Sequence, residues 1–451
     1  MLFRSNRMKE KNNSVRHFVL GMLEDGALTA GDKLPGAREI ARQTGKPLPA
    51  VQSELEMLVQ EGVLETAARK GTFVHPLWSS RVLQRNLSLF RSGLPWLDDF
   101  RRMASESLPE LWISERFSGS VFEIQTTHYV QSHHNEYMDL NELFADSFPD
   151  TSDFFLKTFD AFRVGPRLAG IPIIYSPRVI FYNPRLFRQA GCPMPGPNWN
   201  IGEFRECIRR LRTILPPVDT FCWHTKQFYW INFVLRSGGC LIDPEAEDCV
   251  KIDSPETRRG LKLFRQLRHD MGIGNFTYPD DFEKNFLSGR AGMLIQPREF
   301  MSEVRKSGFR DWSTAPLPLI EGGANLNAQA TDVFCIRREC VDLNLAARLL
   351  KLLLSEEFQA CLVNWSYGLP IRKSLMGRSV DYSDERDTLF LTEIPHMHSH
   401  YNLDSVEVYN LVCDGIAELM AGDEDIDKGT ADLAGLLRTY LKIRNATARS
   451  A

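Results

Sequence analysis

Residues 174–191, IYSPRVIFYNPRLFRQAG, decide how the rest of the chain is read. Ile174, Val179, Ile180 and Phe181, with Ile173 just before, are β-formers, so the stretch opens as extended chain. Asn183-Pro184 signals a turn; Leu186, Phe187 and Ala190 begin a helix, and Gly191 stops it. Working outward, Val121–Thr126 reads as a strand, Leu83–Phe90 as another, and Leu97–Phe117 has helical periodicity. Strands alternating with helices predict an α/β fold with mainly parallel sheets.

The 451 residues leave room for two or three domains, with 43% apolar and 25% charged residues, as in soluble globular proteins. A net charge of −4 does not mark the whole chain as a nucleic-acid binder; residues 1–78 carry eleven Lys/Arg against nine Asp/Glu. Glu24-Asp25 interrupt the one apolar run that resembles a signal peptide, and no stretch has the length of a membrane span. All nine cysteines lie beyond residue 190 without a C-x-x-C pair, which reads as reduced thiols in a cytoplasm. Neither His133-His134 nor His396–His400 has metal-ligand spacing, so no metal and no cofactor is expected.

The first 76 residues have their own pattern. Val15, Phe18, Val19 and Met22 recur at helical spacing, and Ile40 and Ala41 face inward on a second helix ended by Gly45. A third helix runs from Pro49 to Glu61 over the stripe Val51, Leu55, Leu58 and Val59. Gly62–Leu64 and Gly71–Val74 then read as a two-stranded wing. Gly26–Pro35 follows the wording "G-x-L-x-x-G-x-x-LP", Arg38–Ala41 follows "RE-[IL]-A", and Gly71–Val74 follows "GT-[FY]-V". Residues 12–75 thereby resemble the GntR family of winged-helix transcription regulators.

That resemblance implies DNA contact through Arg38, Arg42, Lys46, Gln52, Ser53, Arg69 and Lys70. The family's "V-S-R-x-T-V-R" at the recognition turn is replaced by Lys46-Pro47-Leu48-Pro49-Ala50-Val51-Gln52, which lacks its hydroxyls and arginines. The bland alternative is a solvated face on a module kept for dimerisation.

Beyond a boundary at His75–Ser80, the chain resembles the family 1 extracellular solute-binding proteins that feed sugar importers. The opening stretch resembles their "YN-x-x-LF-x-x-AG" segment. Further matches follow in family order at Met138–Leu143, Arg167–Pro172, Pro197–Phe204, Ser237–Gly239, Phe286–Met293 and Gly368–Arg372. The resemblance implies a two-lobed periplasmic-binding-protein-like (type II) α/β domain over residues 77–451. Its crossings between lobes fall near 175–183 and 290–300, and its ligand lies in the cleft.

Aromatic faces and planar polar groups at expected loop positions nominate His128, Tyr175, Ser176, Trp223, His224, Gln296, Arg298, Gln329, Asp332, Trp365 and Tyr367 as ligand contacts. Against this, Trp199 and Trp230 sit on apolar stripes and read as core, and Asp332 and Arg298 have each other as possible partners. Arg178 and Arg298 leave an acidic sugar open, because guanidinium favours carboxylates.

No G-x-S-x-G, H-E-x-x-H or phosphate loop is present, and Gly272-Ile273-Gly274 is a loop, not a dinucleotide fingerprint, so no enzyme is expected. The composite reading is a cytoplasmic, homodimeric, ligand-responsive regulator. It binds double-stranded operator DNA and a mono- or oligosaccharide, without membrane contact. The alternative is a sugar sensor whose winged helix only dimerises.

Overall fold

The computed structural model describes residues 14–115, 120–273, 282–398 and 405–450. The chain divides into two units: Met1–Ile124 with Cys335–Leu352, and Gln125–Phe334 with Leu353–Ala451.

The first unit begins with α1 (Val15–Glu24), α2 (Ala37–Thr44) and α3 (Leu48–Gln60), followed by the hairpin β1 (Leu64–Ala67) and β2 (Gly71–Val74). Ser14 caps α1 by accepting the His17 amide at 3.0 Å. Gly45 ends α2 in the left-handed region, where glycine carries no Cβ penalty. The stripes Val15, Val19, Leu20 and Leu23, with Ile40, and Val51, Leu55 and Leu58, close over Leu64 and Val74 in one core. The hairpin is antiparallel, with Leu64 opposite Val74 and Ala67 opposite Gly71. Arg69 turns it with a φ of 64°.

The chain then forms α4 (Trp78–Leu83), β3 (Asn86–Leu89), α5 (Leu97–Ser107), β4 (Trp112–Ser114) and β5 (Phe122–Thr126). Two expectations need correction here. The helix expected over Leu97–Phe117 stops at Ser107, because Leu108 precedes Pro109 and is steered out of helical geometry. Trp112-Ile113 then join a sheet, while Phe117 lies outside the described residues. The strand expected from Leu83 begins only at Asn86, after a short helix. β3 lies parallel to both β4 and β5, pairing Leu87 with Ile113 and with Phe122.

In the second unit the deciding stretch folds as read. Arg178–Tyr182 is a strand, Asn183 caps the helix Pro184–Gln189 by accepting the Arg185 and Leu186 amides, and Gly191 has a φ of 66°. The sheet around it is antiparallel, however. Arg178–Tyr182 is flanked by Met293–Pro297 and Ser313–Ala315, both running against it. The expectation of mainly parallel sheets therefore fails for this lobe, since its central strands come from segments that re-enter it in opposite directions.

Around them the helices Ile201–Leu211, Gln227–Arg236, Pro255–Met271 and Val406–Ala421 build the core. Gly260 lets two of these helices touch: a Cβ there would lie 2.5 Å from the Phe233 carbonyl oxygen. Trp199 and Trp230 are buried in this core, with their indole N–H groups donating to Pro316 O and Thr225 O. Tyr175 pairs antiparallel with Leu369, and Ser176 bridges to Ala330.

Candidate functional site

The nominated DNA-contact residues are spread over α2, the turn after it, α3 and the hairpin. Arg38 and Arg42 stand on α2, Lys46 in the turn, Gln52 and Ser53 on the outer face of α3, and Arg69 and Lys70 at the hairpin tip. All are exposed except the half-buried Lys46. Arg42 donates to Glu39 at 2.6 Å, which offsets part of its charge. Hydrogen bonds from Arg42 and then Gln43 hold the Glu39 carboxyl below its ordinary range.

The head is also fastened to later strands of its own unit. Trp112, from β4, is buried in the same core as Val15, Val19 and Leu58. Its ring lies 5.1 Å from that of His17. Ser114 donates to Glu24 at 2.5 Å, and Glu61 accepts from Arg16 and pairs with Arg85 at 3.0 Å. Burial, and then the charges of Arg16 and Arg101, lower the His17 pKa to about 4. Trp112 escaped notice in the sequence because it fell inside a presumed helix.

Six of the nominated ligand residues, Tyr175, Ser176, Arg298, Gln329, Asp332 and Tyr367, are held by neighbouring side chains and backbone, two pairs of them by each other. The Arg298 amide donates to Ser176 Oγ at 2.7 Å. Its guanidinium, fully buried, donates to Asp387 at 2.9 Å and to the carbonyls of Gly368 at 2.6 Å and Ser379 at 2.5 Å. The Tyr367 hydroxyl donates to Asp332 at 2.8 Å, and Gln329 donates to Thr331 at 2.9 Å. Arg298 and Asp332 thus have separate partners. Tyr175 stacks on Phe155 at 5.2 Å.

Three other nominees have partners outside that set. Trp223 stacks on Phe264 and donates to its carbonyl at 2.8 Å. His224 stacks on Tyr229 and accepts the Lys226 amide at 2.9 Å, and burial lowers its pKa to about 4. Gln296 donates to Glu283 at 2.7 Å. Trp365 is half-buried beneath the Lys306 ammonium, 4.2 Å from its ring centre.

His128 makes contacts of its own. It lies on α6 (Thr127–Ser132), directly after β5, and stacks on Tyr409 at 5.6 Å with the rings 19° from parallel. Burial, and then the Arg178 charge, lower its pKa to about 4, so the ring is neutral at pH 7. The Arg178 guanidinium in turn lies 5.5 Å from the centre of the Phe228 ring. Among the described residues, the buried polar atoms without a hydrogen-bond partner include Thr127 Oγ1, Tyr175 Oη, Arg178 Nε and Gln227 Nε2. Each such atom costs about 1–3 kcal/mol if left unsatisfied. Thr127, Gln227 and Tyr409 were not singled out from sequence; Thr127 was findable as the last polar residue before His128 at a strand end.

Beyond the next turn of α6 lies a cavity of about 410 Å³, bordered by Val130, the Phe162–Gly165 turn, Ile242–Cys249 and Leu441. None of the eleven nominees lines it. Among the described residues no cluster of His, Cys, Asp or Glu is placed to hold a metal, and no helix is long and apolar enough to cross a membrane. Ser399 and His400, part of one histidine-rich segment, and Gly274 lie outside the described residues.

Residues 12–74 match the model of bacterial regulatory proteins of the gntR family. Residues 120–360, more than half of the chain, match that of the bacterial extracellular solute-binding proteins. No curated protein sequence matches significantly. Among solved structures, UgpB from Mycobacterium tuberculosis in complex with glycerophosphocholine is 16% identical with a TM-score of 0.66, covering 80% of this chain and 98% of that one. The ABC substrate-binding protein Lmo0181 from Listeria monocytogenes in complex with cycloalternan is 13% identical with a TM-score of 0.66, covering 79% and 98%. An ABC transporter solute-binding protein from Thermotoga lettingae bound with alpha-D-tagatose is 12% identical with a TM-score of 0.68, covering 78% and 98%. At such identities these neighbours show a shared two-lobed α/β fold and nothing finer.

Proposed function

Because the chain belongs to the bacterial extracellular solute-binding protein family and carries a gntR-family regulatory domain before it, we propose that it is a ligand-responsive transcription regulator. The winged helix binds operator DNA, and a carbohydrate-like effector binds around His128 and the crossing segments. Residues 1–76 serve as the head and 77–451 as the effector domain, and a homodimer meets a pseudo-palindromic operator.

What supports this reading is the unbroken run of elements from α6 to the head's core. The effector would contact Thr127 on α6, whose Oγ1 has no hydrogen-bond partner among the described residues, and α6 follows β5 without a break. β5 is parallel to β3, β3 to β4, and Trp112 of β4 is part of the head's core. A packed core shifts as a body, so a displacement of β5 reorients the helices that face DNA. Stacked rings at His128 and Tyr409 suit the C–H face of a pyranose, and the unpartnered polar atoms suit its hydroxyls. Cycloalternan and tagatose, bound by two of the structural neighbours, are carbohydrates.

Thermal-shift measurements against mono- and oligosaccharides test the ligand class, since a ligand at about 100 times its Kd adds about 2.7 kcal/mol. Gel shifts against the gene's upstream region, with and without the hit, test the coupling. A hit that leaves DNA affinity unchanged refutes ligand control.

One observation favours a second reading, in which the head only dimerises. The N-cap of α3 is Pro47, with no side-chain cap, and Met57 is exposed on the same helix. A dimer held by the head, without DNA affinity, would establish it.

A further inference from the structure

We infer that the 410 Å³ cavity beside α6 is a second binding site, for a small organic anion, separate from the carbohydrate seat around His128. Its volume lies within the range of small-molecule sites. Its composition differs from that of the seat. Three basic residues line it, His134, Arg163 and Arg444, and no aspartate or glutamate does. Gln131 and Asn445 add amides, and Val130, Phe162, Ile242 and Leu441 supply apolar wall.

Sugar hydroxyls are donors as well as acceptors, and carboxylates are their strongest acceptors; this wall has none. A wall of guanidinium, imidazole and amide groups against aliphatic carbon instead matches a phosphate ester or carboxylate carried on an apolar body. Guanidinium pairs with either oxyanion through two parallel hydrogen bonds.

Arg163 is available for that role. It is exposed, with Asp160 3.9 Å away and Asn141 accepting from it at 3.1 Å, and an exposed pair at that separation contributes little. The Gly165 turn beside it has a φ of 59°, a left-handed conformation that glycine adopts without strain. The far wall is the last part of the helix Ile426–Ser450, which brings Leu441, Arg444 and Asn445 to the cavity from a distant part of the sequence.

Calorimetric titration of the full-length protein with phenyl phosphate, phenylacetate and the neutral 2-phenylethanol tests the inference. At least one anion should bind, at least tenfold more tightly than the alcohol, and the phosphate and carboxylate arms identify the preferred oxyanion. Arg163→Gln and Arg444→Gln, singly, should weaken that anion fivefold or more and leave binding of any saccharide hit unchanged. The inference is overturned if neither anion binds, if the alcohol binds as well, or if both variants bind the anion like the parent chain. Loss of saccharide binding together with anion binding would show one shared site and also overturn it. A failed saccharide screen with anion binding intact would count against the carbohydrate seat alone.

Discussion

Replacing Tyr175 by phenylalanine removes one oxygen and should move the empty protein and its complex in opposite directions. The side chain is fully buried, stacked on Phe155, and its hydroxyl has no hydrogen-bond partner. Burial also drives the phenol's pKa upward, so it stays protonated and needs an acceptor. An unsatisfied buried hydroxyl costs about 1–3 kcal/mol, and phenylalanine keeps the ring packing while removing that cost. At about 2.1 cal/mol/K per residue, the roughly 300 residues of the second unit turn this into a Tm about 1.5–5 °C higher for the ligand-free variant. With a saccharide hit bound, the native hydroxyl gains its partner and the variant does not, so affinity should fall about 5- to 150-fold. Calorimetric melting with and without the ligand reads both changes. An unchanged or lowered Tm in the ligand-free protein would refute the reasoning, because it would mean that water already satisfies the phenol.

Acid should weaken the head through His17. Its pKa is depressed to about 4 in the fold against 6.5 in the unfolded chain, so the unfolded state binds the extra proton between those values. The stabilisation is complete above pH 6.5 and is lost as pH falls toward 4, about 2 kcal/mol of it by pH 5; His17→Gln should flatten that part of a urea-midpoint profile. Trp112→Ala should destabilise the first unit by about 3–5 kcal/mol, measured by chemical denaturation, since a buried indole leaves the head's core. A loss under 1 kcal/mol would show that β4 is not part of that core. Arg69→Gln and Arg38→Gln, both fully on the surface, should each lower DNA affinity across all sequences and reduce the log–log salt slope by about 1. Unchanged slopes would favour the dimerising reading.

The fold was largely legible because its signals are local. Gly45, the Asn183-Pro184 turn and the apolar stripes act within a few residues, and all sit where the sequence suggested. The helix expected through Trp112 failed because tryptophan and isoleucine suit a sheet as readily as a helical stripe. The choice was made by Pro109 and by pairing with β3, which is distant information. The ligand residues illustrate the same limit. Polar side chains at strand ends look alike in sequence, whether they face a cleft or brace a crossing. Arg298 and Asp387 are 89 positions apart, and only the fold reveals that they hold each other. Val130, Gly165 and Leu441 have no chemical signature at all, and they become a cavity wall only once α6 and the last long helix are brought together.

The discontinuity of the first unit also has a consequence during synthesis. The head's core is complete once Trp112 has been made, but the strand and helix that finish its unit, Cys335–Leu352, follow the whole of Gln125–Phe334. At about 5–20 residues per second the ribosome needs roughly 10–40 s to cross that interval. Throughout it Glu123 waits for Arg337, its later ion-pair partner at 3.3 Å, and Gln84 for the Glu339 carbonyl it will bond at 3.1 Å. A nascent chain therefore exposes a finished head on an unfinished support, and a stop codon anywhere before residue 335 would release the head without it.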